Sequence, residues 1–193
     1  GGFKMKYRQN EMTSLSGSET EKNLLKTFSG ESRASNKYML YAEKALEEGY
    51  NYVAQVFQET AGNERAHSRF VYKNALKQIK NTAQNLKDAI EGETEEFSYI
   101  YKEFEETARR EGFIEIANFY KELQEVEEFH QERFKDLYDR IVSGTMFNSP
   151  DKVQNWQCMN CGYIHEGNNA PEICPLCKYP KSFFKIECMD YKL

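Results

Sequence analysis

The chain has no proline before Pro150 and no cysteine before Cys158. Proline breaks the backbone ladder of a helix, so most of the chain is free to run as long, uninterrupted helices. Without thiols, that part holds neither a disulfide framework nor a thiolate metal site. No apolar run approaches the ~20 residues of a membrane span and no signal-peptide core follows the N-terminus, so a cytoplasmic protein is expected. Blocks of one charge are scarce as well. The net charge is -5 over 193 residues with both signs mixed, which argues against a nucleic-acid groove or a polybasic membrane anchor. This length accommodates one ordinary domain and a small appendage. Residues 1–18 carry no motif with a role and read as an N-terminal extension.

What the chain does have is a repeat. At a constant offset of 63, Glu48-Gly49-Tyr50 falls on Glu111-Gly112-Phe113, Val53-Ala54 on Ile116-Ala117, Phe57 on Tyr120, and Glu64-Arg65-Ala66-His67 on Glu127-Glu128-Phe129-His130. The chain therefore reads as a duplicated helical hairpin. Ser18-Glu19-Thr20-Glu21 has the form of a capping box. Apolar positions stepping by three and four then predict a first helix to about Gly49 and a second fading near Lys80-Asn81. A third closes at Gly112 and a fourth runs from Ile116 to Gly144. Four amphipathic helices of this length make a bundle over residues 19–144.

The core stripes of these helices contain Glu31, Glu64, His67, Glu93, Glu127 and His130, with Glu96 one turn from Glu93. An unpaired buried carboxylate costs several kcal/mol or becomes neutral. Counted from the turn glycines at a rise of ~1.5 Å per residue, all seven groups fall within about a turn of one height, roughly 22 Å from the turns. One Glu from each of two helices plus Glu-x-x-His from the other two is the ligand pattern of di-iron carboxylate bundles. Oxygen and imidazole donors suit two cations such as iron or manganese rather than tetrahedral zinc. Tyr38 and Tyr101 correspond at the same offset on the ligand faces, where they serve either as hydrogen-bond donors to ligand carboxylates or as core aromatics. Glu31 precedes Tyr38 by seven residues, whereas Glu93 precedes Tyr101 by eight. A π-bulge near Glu93 accounts for the extra residue. The second and third helices are joined by only some five residues around Asn81 to Gln84. Crossing a bundle ~45 Å long takes about 13 extended residues, so a one-chain crossover is out of reach. Of the two arrangements left, a simple up-down-up-down bundle and a helix-swapped homodimer, the second is favoured.

From Thr145 to Asn155 the periodicity stops, as in a linker. Residues 156–193 then present Cys158-x-x-Cys161 and Cys174-x-x-Cys177, four thiolates in the pairing that holds zinc or iron. So short a segment makes little core, and the metal contributes to its folding. His165 and Cys188 are read as non-ligands.

The ligand set, Ala-Ile-Glu-Gly-Glu with Glu96 beyond it, and the ending Trp-x-Cys-x-x-Cys-Gly-Tyr-x-His-Glu-Gly…Cys-Pro-x-Cys together resemble the rubrerythrin family over residues 19 to about 186. The resemblance implies a mainly α fold, a ferritin-like di-iron four-helix bundle joined to a small rubredoxin-like domain with a mononuclear iron at Cys158, Cys161, Cys174 and Cys177, a position zinc takes in some recombinant material. It also implies a peroxidase of oxidative-stress defence that reduces hydrogen peroxide to water. Its electrons are expected from an external donor, rubredoxin or an NAD(P)H-dependent reductase. In the family's pattern Glu64 and Glu127 bridge the irons, Glu31, Glu93, Glu96, His67 and His130 complete the site, and one iron moves between Glu96 and His67 with redox state. Two alternatives are a ferroxidase that handles iron and a redox sensor. The fifth glutamate and the thiolate domain argue against the first, because storage needs no electron feed.

Overall fold

The computed structural model describes residues 14–187. The chain divides into two units at Lys80 and Asn81, each a helical hairpin, and the second unit also contains the cysteine-rich end.

In the first unit, α1 (Glu19–Glu47) packs antiparallel against α2 (Asn51–Phe70). The Ser18 hydroxyl accepts from the Glu21 amide at 3.1 Å, and the Glu21 carboxylate accepts from the Gly17 amide at 2.6 Å. The expected capping box is thus present, its return bond one residue further back. The helices approach closely because the seam is made of small residues: Ala42 and Ala45 on α1, Ala54, Ala61 and Ser68 at seven-residue steps on α2. Ser35 donates its hydroxyl across the seam to the Ala61 carbonyl at 2.8 Å.

The second unit repeats this construction. α3 (Thr82–Glu95) and α4 (Tyr101–Arg110) form one rod against α5 (Ile114–Val142), with Ala108 and Ala117 in the places of Ala45 and Ala54. Both tight turns close alike. Gly49 and Gly112 take φ of +83° and +86°, a conformation that costs glycine nothing. The Tyr50 and Phe113 amides then donate at 2.8 Å to the Ala45 and Ala108 carbonyls, the long bond of a Schellman cap. Two aromatic trios also correspond: Tyr38, Tyr41 and Phe57 in the first unit, and Tyr101, Phe104 and Tyr120 in the second.

Two helical details differ from the sequence reading. The extra residue between Glu93 and Tyr101 is taken up by a π turn over Glu96–Ile100, just beyond the expected position. A second π turn, Val71–Ala75, ends α2 and was not foreshadowed by the repeat. The join between hairpins also lies earlier than expected. The helical ladder stops at Ala75, Lys77 takes a φ of +53°, and Asn81 accepts from the Gln84 amide at 2.9 Å to cap α3. Asparagine favours that capping position, so Thr82 to Gln84 form a first helical turn and the connection is Leu76 to Asn81.

The C-terminal module is a three-stranded antiparallel sheet in the order β2 (Ile164–Gly167), β1 (Gln154–Cys158), β3 (Phe184–Ile186). Trp156 pairs with His165 on one side and Ile186 on the other, and it is fully buried with Phe184, Cys158, Cys174 and Ala170. Its indole N–H donates to the Gly167 carbonyl at 2.9 Å. The stretch expected as a linker, 145–155, largely belongs to this module. Phe147 packs on the core, the Ser149 amide donates to the Asn168 carbonyl at 2.7 Å, and β1 begins at Gln154. The reason is an apolar side chain and free backbone donors beside a core too small to leave them unused. Trp156→Ala is therefore expected to cost the module ~3–5 kcal/mol and to unfold it in metal-free protein while the far-UV helical signal persists. Joint loss of both signals would contradict this division.

Candidate metal centres

The two Glu-x-x-His segments sit on α2 and α5, where a three-residue step sets the carboxylate above the imidazole on one face. In the first unit, His67 Nδ1 lies 3.0 Å from Glu64 Oε2 and 3.2 Å from Glu31 Oε2, the latter reaching across from α1. In the second, His130 Nδ1 lies 2.7 Å from Glu127 Oε2 and 3.8 Å from Glu93 Oε2. Within each trio the donor atoms converge to within 4.8 Å of one another. The imidazole edge takes the place among the carboxylate oxygens that a cation's charge would fill.

The electrostatics of each trio follow from its close neighbours. A hydrogen bond with Glu31, and then one with His67, holds Glu64 below the usual carboxylate range. The two carboxylates in turn raise His67 above the usual imidazole range, Glu64 more than Glu31. Glu93 moves the other way: burial pushes it up first, and the neighbouring Glu127 adds to that. Carboxylates that gain stability only from a proton or a positive neighbour are what a cation site requires.

Glu96 stands beside the second trio rather than in it, and its carboxylate accepts from the Tyr101 hydroxyl at 3.2 Å. Burial, reinforced by the charge of Glu96, raises the Tyr101 phenol above its ordinary value, so it remains a donor. Tyr38 does not match its counterpart. Among the described residues it makes no hydrogen bond to a carboxylate, and its ring packs with Tyr41 and Phe57. The equality of the two aromatic trios is visible at the offset of 63, but spacing alone does not distinguish a tyrosine that reaches a carboxylate from one that only packs.

The four cysteines form a third group, reduced and close: Cys158 and Cys177 sulfurs are 3.7 Å apart, as are those of Cys161 and Cys174. Each pair sits on a turn of the same form, closed by Gly162 donating to the Cys158 carbonyl and by Lys178 donating to that of Cys174. Gly162 and Lys178 both take positive φ, an uncommon state for lysine. A hydrogen bond from the Asn160 side chain lowers Cys177 to about 6. The Tyr163 backbone favours the Cys161 thiolate too, but burial and the three neighbouring sulfurs outweigh it and push that thiol up to about 12. The four sulfurs thus share protons where a metal would replace them. His165 is not among them, and Cys188 lies outside the described residues.

Family models for rubrerythrin and for the rubrerythrin rubredoxin-like domain match residues 22–138 and 156–185. A putative rubrerythrin of Methanocaldococcus jannaschii is 39% identical, with 90% of this chain and 95% of that protein covered. The rubrerythrin of Nitratidesulfovibrio vulgaris is 38% identical over 91% and 97%, and that of Porphyromonas gingivalis is 38% identical over 92% and 94%. A solved structure of nigerythrin in a mixed-valence state aligns at 29% identity over 93% of this chain and 91% of that one, with a TM-score of 0.33. The glutamate-histidine trios fit a di-iron site and the four cysteines a rubredoxin-type site, and the chain belongs to the rubrerythrin family, di-iron proteins with a rubredoxin-like domain.

Proposed function

We propose that the protein is a non-haem di-iron peroxidase that reduces hydrogen peroxide to water. Its electrons would come from an external donor, rubredoxin or an NAD(P)H-dependent reductase, through the four-cysteine iron. The observation that carries this reading is Glu96. A fifth carboxylate, fixed by Tyr101 beside Glu93, adds a donor to a centre that shares its chain with a one-electron thiolate relay. Iron oxidation for storage would need neither.

In this reading Glu31, Glu64, His67, Glu93, Glu96, Glu127 and His130 would hold the two metals, with Tyr101 supporting Glu96. Two ferrous ions, when bound, supply together the two electrons that peroxide consumes with two protons to give two waters. The protein's share is electrostatic. Five carboxylates would offset the whole charge of a dication pair and leave about one negative charge over, which suits the site to a more oxidised metal pair as well. Tyr101, kept protonated by burial, orients Glu96 and stays a donor throughout.

We further infer a helix-swapped homodimer in which each hairpin meets its complement on a second chain. Two observations support it. The connection Leu76 to Asn81 is short. In the first unit Val53, Val56 and Phe70 share a helix stripe with His67, in the second Ile116, Phe119 and Val126 share one with His130, and each is more than two-fifths exposed within its own unit. Exposed apolar residues gathered on one stripe in this way suit an interface. Residues 19–144 are then the bundle, and the relay domain takes in much of 145–155 together with the residues that follow. No helix among the described residues is long and apolar enough to cross a membrane, in keeping with a cytoplasmic location.

On rapid mixing, peroxide should oxidise the fully reduced protein much faster than air does, and equal rates would favour a ferroxidase. Glu64→Ala or Glu127→Ala should abolish the di-iron site while leaving the iron at the cysteines, checked by metal analysis and the ferric thiolate colour. Without metal, His67 has a raised pKa, so its attraction to Glu64 and Glu31 is complete below the unfolded value and fades as pH rises through the folded one. Glu64 is depressed, so its contribution is complete above the unfolded value and fades as pH falls through the folded one. By NMR, His67 should titrate above the ordinary imidazole range, and Glu64→Gln should bring it down. A His67 that titrates at or below that range would contradict the trio.

A further inference from the structure

The two hairpins are copies in construction and opposites in charge. From Glu19 to Lys80 the chain carries ten lysines and arginines against eight acidic residues, whereas from Asn81 to Gly144 it carries eight against seventeen. The reversal is sharpest at corresponding positions. Arg65, Arg69 and Lys73 of the first unit fall at the offset of 63 on Glu128, Glu132 and Asp136 of the second, and all six are exposed.

The basic three lie at steps of four along one flank of α2 and its π turn. Among the described residues none of them takes part in an ion pair, while Asp136 is paired with Arg140 at 2.7 Å. Like charges four apart on a helix repel by ~0.2–0.5 kcal/mol per pair, so an uncompensated ladder favours an anionic neighbour. The three cations line a groove of about 780 Å³ that also holds Phe28 and Tyr72, their rings stacked at 4.5 Å, and Ile79. At ~100° per residue, Arg65 and Arg69 lie roughly 100° to 140° around α2 from Glu64. The groove is therefore on the back of the helix that presents Glu64 and His67, within about one helix diameter, ~10 Å.

From this we propose that the Arg65-Arg69-Lys73 groove is the docking surface for an acidic one-electron carrier protein. The inference rests on the peroxidase reading, which requires an external donor. Magnitudes favour a transient redox partner over a second copy of this chain using its own acidic α5 face. Exposed ion pairs contribute only ~0–1 kcal/mol each, too little to hold a permanent interface built on charge. They do suit the small, short-lived contacts of electron transfer, where steering raises association rates by ~10–10³. The ladder is also too extended for one small anion, and the acidic copy on the second unit repels the same carrier, so charge selects one of two otherwise similar faces. Each encounter would oxidise the carrier by one electron, which would enter at the bundle through metal held by Glu64 and His67, a second entry beside the one through the four-cysteine iron. Two encounters supply the pair that one peroxide consumes.

The test uses the full, iron-loaded protein and a reduced plant-type ferredoxin as the acidic probe, its oxidation followed by stopped flow across a salt series. A small viologen serves as the reductant that needs no docking. For the native chain the ferredoxin rate should fall steeply with salt. Arg69→Glu/Lys73→Glu should lower it about tenfold or more at low salt and converge with the native rate at high salt, with Arg69→Gln/Lys73→Gln intermediate. Glu128→Lys/Glu132→Lys should not lower it, and viologen reduction should be the same in all. Oxidised ferredoxin added to the metal-free protein should shift amide signals in 65–73 and lose that effect in the charge-reversed variant. An unchanged ferredoxin rate in Arg69→Glu/Lys73→Glu would overturn the proposal. So would salt-sensitive self-association of the native chain that this variant abolishes, or tight pyrophosphate binding that it abolishes without change in the ferredoxin rate. Failure of viologen-driven peroxide turnover in the native chain would instead refute the peroxidase reading, and the ferredoxin arm would remain readable.

Discussion

Carboxylates crowded at one level of a helical hairpin are the constraint behind the rest of the molecule. Glu31 and Glu64 in one unit, and Glu93 and Glu127 in the other, stand close enough to repel. Among the described residues, the ion-pair partner of these carboxylates in each trio is its own imidazole. Glu64 is drawn down by its hydrogen bonds with Glu31 and His67, whereas Glu93 is pushed up by burial and by Glu127. Bound dications would supply positive charge to both trios.

The scaffold that keeps those groups level is made of small residues and two glycines. Ala42, Ala45, Ala54 and Ala61, with Ala108 and Ala117 in the copy, let the helices lie close, and Gly49 and Gly112 fix where each hairpin turns. Because every ligand position is counted from a turn, the glycine sets the register of the site. The C-terminal module solves a different problem. Its core is little more than Trp156, Phe184, Ala170 and two of the metal-binding cysteines, so the same sulfurs that would carry the electron also hold the fold.

Much of this was legible in the sequence. The offset of 63 located both turns and both Glu-x-x-His trios, because duplicated packing demands duplicated small and polar positions. The cysteine spacing marked the third group. The eight-residue step from Glu93 to Tyr101 announced a π turn but not its start at Glu96, since widening a helix by one residue is decided by which carbonyls relax. Asn81 looked like loop because asparagine serves turns and caps alike, and only its bond to the Gln84 amide separates the two. The segment 145–155 has the composition of a linker, and its packing depends on Phe147 finding the module's core at a distance along the chain. Likewise Tyr38 and Tyr101 share a repeat position while only Tyr101 has a carboxylate, Glu96, at hand.

The central claim is that cations relieve the carboxylate crowding and thereby stabilise the helices themselves. Scanning calorimetry of the metal-free protein during stepwise anaerobic addition of ferrous iron tests it most directly. The account predicts that, beyond the one equivalent taken by the cysteines, the unfolding temperature of the helical transition climbs and levels off at about two further equivalents per chain. A helical transition that iron leaves unmoved would contradict it.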